Sequence, residues 1–136
     1  MDPEPLLEDV RRLAGLDSEA AAARAVIATL ETLGQHVSAG ETEDLAAGLP
    51  DEFGSAVTDL ADETPEAFTP DEFVDRVAHA EREDPVDREE ATRHVRAVMA
   101  ALADAGLDRE LQDAREQLPN EYATLFEREG LSAGSD

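Results

Sequence analysis

Leu49-Pro50-Asp51-Glu52-Phe53 occurs twice in the chain. It returns 69 residues on as Leu118-Pro119-Asn120-Glu121-Tyr122, and each copy follows a block of helix-forming sequence of similar layout. The five residues spell a helix start. Proline is tolerated at the first helical position, where its missing N–H has no intrahelical partner to lose, and Glu52 or Glu121 meets the positive end of the helix dipole. The aromatic then falls in the first turn. Val57 or Phe126 lies one turn further along the same face, so the inner edge of each short helix reads as Phe53 with Val57, or Tyr122 with Phe126. Leu49, Pro50, Glu52 and Phe53, with Leu118, Pro119, Glu121 and Tyr122, are accordingly expected to serve the core. A recognition turn shared by both copies is the alternative.

Ahead of the first copy, Asp2 and Pro3 start a helix whose face is Leu6, Leu7, Val10 and Leu13, ended by Gly15. Asp17 or Ser18 caps a long second helix to about residue 37. Leu16 is placed for a hydrophobic staple, and the inner stripe is Ala23, Val26, Ile27, Leu30, Leu33 and Val37. Ser38-Ala39-Gly40-Glu41 matches a capping box. It opens a short helix over about residues 39 to 47 with Leu45 inward and Gly48 as its stop, after which the Leu-Pro unit begins a fourth helix to about residue 60. Residues 62–68 read as a connector.

The pattern then restarts. Thr69-Pro70-Asp71-Glu72 is a second capping box, and Phe73, Val74 and Val77 echo Leu6, Leu7 and Val10 at an offset of 67. Asp84-Pro85 breaks this helix. Asp87 with Glu90 caps the next, whose face is Ala91, Val95, Val98, Met99 and Leu102, and residues 96–102 mirror 24–30 at an offset of 72. Gly106 ends it, Asp108 caps a short helix through about Gln117, and the second Leu-Pro unit opens the last helix, with Gly130 as a C-cap and residues 131–136 as a frayed tail. The offsets differ only at loops. The fold expected is therefore all-α: two similar consecutive units of about four helices, 2–61 and 69–130, each too small for a separate core and so packed as one helical bundle domain.

Composition narrows the function classes. The 136 residues suffice for one core, and the absence of Cys removes disulfides and thiolate metal sites. Charged residues interrupt every apolar run, so no membrane span is expected. The N-terminal Met1-Asp2-Pro3-Glu4 lacks the basic and hydrophobic regions of a signal peptide, which makes the cytoplasm the expected location. Asp and Glu number 34 against 11 basic residues, all Arg, giving a formal net charge of −23; 24 residues are Ala. An acidic, lysine-free chain around a small-residue core matches the habit of organisms with molar intracellular salt, where self-repulsion is screened. Nucleic acid is a poor partner for such a surface, because its binding depends on cationic side chains neutralising phosphates.

The order of capped helix, Arg-Ala-Val-x-x-x-Leu helix, short acidic helix and Leu-Pro-x-Glu-aromatic unit is duplicated and joined by residues 68–73. In this it resembles the uncharacterised family called domain of unknown function 2267, in a form like that of a salt-adapted, halophilic archaeon. The resemblance spans about Leu6 to Phe126. It implies an all-helical fold and a widespread prokaryotic distribution, with no established activity or catalytic residue to carry over. The first unit departs from the pattern in opening on Leu6-Leu7 rather than an acidic-aromatic pair, and in its shorter loop before Ser18.

Chemistry is sparse. His36, His79 and His94 form no ligand spacing with a mechanism behind it. His79 and Glu83 are four apart with His94 on the next helix, but so acidic a chain places a carboxylate near any histidine by chance. No metal, cofactor or catalytic residue is expected. Two readings remain: a non-enzymatic interaction or scaffold module, as a homo-oligomer or with an unidentified protein partner, and a small-molecule or metal-binding sensor or enzyme with a site between the two halves. An acidic surface imitating DNA for a basic partner is a remote third.

Overall fold

Helix signals in the sequence translate into seven α-helices and a 3₁₀ helix among the residues that the computed structural model describes, which are 3–36, 39–59, 69–81, 88–116, 118 and 120–126. The helices are α1 (Pro3–Ala14), α2 (Glu19–His36), α3 (Ala39–Ala47), α4 (Asp51–Asp59), α5 (Pro70–Ala80), α6 (Arg88–Leu102) and α7 (Asp108–Glu116). The 3₁₀ helix spans Asn120–Phe126. No strand occurs among the described residues, so the fold is all-α.

Several caps act as their chemistry dictates. Gly15, at φ +70°, lets the N–H of Leu16 turn back to the carbonyl of Arg11 at 2.9 Å, the closure expected of a glycine just past a helix end. Ser18, rather than Asp17, caps α2, its hydroxyl accepting from the N–H of Ala21 at 3.2 Å. Thr69 accepts from the N–H of Glu72 at 3.1 Å, with Pro70 at the start of α5. The expected features at Asp2, residues 37–38, the connector 62–68, Asp84-Pro85, Asp87, Pro119, Gly130 and the tail lie outside the described residues.

The inner stripe expected for α2 is too narrow. Ala22, Ala25, Val26, Ala28, Leu30 and Leu33 are all buried, whereas Ala23 and Ile27 are only half-buried. The reason is that α2 contacts α1, α4, α5 and α6, and its alanines let those neighbours approach on several sides. The other long helix, α6, is similarly enclosed, and α2 and α6 touch each other at the centre. α1 packs on α6 as well as on α2, and α5 packs on α2 as well as on α6. The first helix of each half thus lies against the long helix of the other. Both halves contribute to one continuous core.

Gly106 does not release the chain into a loop. It stands at φ +101° inside a single widened turn, Ala103–Leu107, that joins α6 directly to α7. A left-handed residue within a helical path demands glycine, and the bend directs α7 onto α3.

Candidate functional site

The apolar residues of both repeated units are buried where they are described. Phe53 and Tyr122 are both buried, with Leu49 and Leu118 beside the core, while Glu52 and Glu121 are exposed in the first turns. Pro50 caps α4 instead of occupying its first position, its carbonyl accepting from Phe53 and Gly54 at 2.9 and 2.8 Å. The copies differ in winding. In α4 the inner pair is Phe53 and Val57, four apart. In the 3₁₀ helix it is Tyr122 and Leu125, three apart, with Phe126 displaced to a half-buried position under the Arg115 guanidinium, 5.7 Å from its ring. Three residues per turn aligns i with i+3, which corrects the expected pairing of Tyr122 with Phe126. Tyr122 meets Phe73 edge to face at 5.9 Å, and burial pushes its phenol well above the usual range.

A groove of about 470 Å³ lies between α2 and α5, hence between the halves. Glu31, Thr32 and Gln35 form one wall, and Arg76, His79 and Ala80 the other. It is open to solvent. Several of its polar groups are bonded within the protein: the Thr32 hydroxyl donates to the Ala28 carbonyl at 2.8 Å, and Arg76 donates across the groove to Gln35 Oε1 at 2.7 Å. Asp75, which also lines the groove, accepts from Nε and Nη2 of Arg88 at 3.0 and 2.8 Å. Among the described residues the groove's lining brings together no activated nucleophile and no converging set of cation ligands.

The second arrangement escaped the sequence reading. Glu81, the C-cap of α5, and His94 on α6 are both buried, and Nδ1 of the imidazole lies 2.8 Å from Glu81 Oε2. The other ring nitrogen, Nε2, faces Glu90 Oε1 at 3.9 Å. A carboxylate on Nδ1 is how a general base is oriented, but the groups beyond both nitrogens are carboxylates, not a hydroxyl or thiol to activate. His94 was legible as an inner residue, three after Ala91 and four before Val98. Its partner was not, because Glu81 lies across a chain connection and no helical spacing links them.

His79 is exposed on the groove wall, and the side chain of His36 and all of Glu83 lie outside the described residues. Among the described residues no three His, Asp or Glu converge as a cation site, and no helix is long and apolar enough to cross a membrane. The stretch Gly130-Leu131-Ser132-Ala133-Gly134 has the spacing of a nucleophile elbow. That motif needs a strand leading into a helix; no strand is present among the described residues, and Ser132 lies outside them.

No curated protein matches the chain. The family model described as an uncharacterised conserved protein, DUF2267, matches residues 4–125, a span that holds both Leu-Pro units, the groove and the Glu81–His94 pair. The protein is therefore a member of the DUF2267 family.

Proposed function

We propose that this chain is a non-enzymatic interaction module that engages a protein partner through the groove between α2 and α5. The observation that carries this reading is the groove itself: open, between α2 and α5, with Thr32, Gln35 and Arg76 already bonded within the protein. A protruding apolar side chain flanked by polar backbone is the kind of occupant such a surface accepts. Residues 2–61 and 69–130 are proposed as two units related by an internal two-fold. Exchanging α1 with α5, α2 with α6, and α4 with the 3₁₀ helix carries the contacts α1–α6, α1–α2 and α2–α4 onto α5–α2, α5–α6 and α6–3₁₀, all of which occur. The acidic, lysine-free composition supports a cytoplasmic role in a salt-adapted archaeon.

The test is capture from a native high-salt lysate by the wild-type chain and by Ala80→Trp, which fills the groove from an exposed position. A protein retained by the first and lost from the second is the expected result. Native mass spectrometry of the purified chain addresses the second reading, a small molecule or metal held between the halves. A bound small species displaced by Ala80→Trp, with no protein captured, overturns the interaction reading in favour of a sensor.

A further inference from the structure

We infer that His94 and Glu81 form a buried proton lock, in which the imidazole carries a proton on both ring nitrogens and neutralises the carboxylate that closes α5 onto α6. The geometry supplies the reasons. Nδ1 stands 2.8 Å from Glu81 Oε2 and Nε2 stands 3.9 Å from Glu90 Oε1, so each ring nitrogen is turned toward an oxygen that only accepts when ionised. Glu81 Oε1 is also buried and accepts no hydrogen bond among the described residues. A carboxylate so enclosed is strongly disfavoured unless a cation sits beside it, and the imidazolium is the cation within reach.

No other charge competes for this role among the described residues. On α1, Glu8 pairs with Arg11 and Asp9 with Arg12 while Glu4 is exposed; on α6, Arg88 pairs with Asp75, Glu89 and Arg93 are exposed and Arg96 is half-buried; Asp71 and Glu72 of α5 are exposed. Glu19 and Arg24 of α2, and Asp108, Arg109, Asp113, Arg115 and Glu116 of α7, are exposed, as are Asp104 in the widened turn and Glu121 in the 3₁₀ helix. Glu110 of α7 is half-buried, and Asp75, Arg76 and His79 of α5 with Glu31 of α2 line the groove. Arg82, Glu83, Asp84 and Asp87 lie outside the described residues.

The chain also contains its own comparison. At the offsets that align the halves, Glu81 corresponds to Ala14 and His94 to Ala22, and both alanines are buried. Packing at these positions is therefore met by methyl groups in one half. The ionisable pair adds a dependence on proton concentration that two alanines cannot supply.

The sign follows from counting protons. Near neutral pH an unfolded chain has a charged glutamate and a histidine that loses its proton at about pH 6.5. The folded pair holds one proton more. Its stabilisation is complete below that value and is lost as pH rises through the point where the folded pair releases its proton, with the folding equilibrium constant falling about tenfold per pH unit while one proton is taken up on folding.

The experiment is ring-nitrogen NMR of the full chain in about 2 M KCl at about pH 7.5, conditions that screen the general surface charge. His94 is identified by removing the other two signals in turn with His36→Gln and His79→Gln. In the wild type His94 is expected as a doubly protonated ring, and in Glu81→Gln, which keeps an acceptor but removes the charge, as a neutral one. A neutral His94 ring in the wild type, or one unchanged by Glu81→Gln, overturns the inference. Denaturant melts give an independent measure: the wild type weakens with rising pH, while a folded His94→Gln is flat over the same interval. Should either variant fail to fold, the protonation state of the wild-type ring alone decides.

Discussion

Gly34 sits where α2 crosses α4, and a methyl group there would overlap the backbone carbonyl of Val57. Gly34→Ala must push two helices apart, so a loss of about 2–3 kcal/mol in a denaturant melt is expected. Gly106 has open space around its Cβ position but a φ of +101°, and Gly106→Ala is expected to cost about 1–2 kcal/mol from backbone strain alone. Gly40 in α3 has neither constraint, so Gly40→Ala should gain up to about 1 kcal/mol. The order of the three separates close approach, left-handed backbone and plain helix propensity. Tyr122, the single tyrosine, offers a pH measurement. Burial raises its phenol, so the folded chain keeps that proton after an unfolded chain would release it near pH 10; stability is intact below that pH and falls above it. Phenolate absorbance should therefore appear together with loss of helicity, and phenolate formed without unfolding would contradict the burial. The glycine stops were legible as punctuation, but their physical reasons were not. Gly15 is a left-handed cap, whereas Gly48 leaves room for Leu107, a residue 59 positions away that local sequence cannot bring into view.

At the scale of elements, periodicity located α1 and α5 well, because a single apolar face specifies both position and orientation. It failed where one helix serves many neighbours or where winding changes. The second Leu-Pro unit shows the latter. Read with 3.6 residues per turn, Phe126 belongs to the core; wound at three, Leu125 does. Leu125→Ala is expected to cost about 2–5 kcal/mol, and Phe126→Ala distinctly less, since its ring is half-buried beneath Arg115. Chemical denaturation of the two variants tests this, and the reverse order would restore an α-helical last turn. Among the site elements, the groove was foreseen only as a place between halves. Its walls, α2 and α5, come from opposite sides of the connector, so their pairing is a tertiary fact that no local spacing encodes.

For the whole molecule, charge is the dominant quantity. A net −23 over an accessible surface of 7141 Å² is about one charge per 300 Å², or roughly 18 Å between neighbours. That separation exceeds the roughly 3 Å Debye length of 1 M salt and falls inside the roughly 30 Å length of 0.01 M salt. The exposed ion pairs on α1 and between Arg88 and Asp75 offset little of this repulsion, since solvent screens them. The melting midpoint, followed by circular dichroism, should fall steeply between about 2 M and 0.05 M KCl; a midpoint independent of salt would assign the acidic surface to a partner instead. The crossing of α1 onto α6 and of α5 onto α2 has a different consequence, one of assembly. Severed within residues 62–68, the two pieces would each lack the helix that covers its own long helix, and each would carry the missing cover for its counterpart. Mixed together in high salt they should reconstitute the intact bundle without a peptide bond between them, and either piece in isolation should pair with a second copy of itself by exchanging first helices.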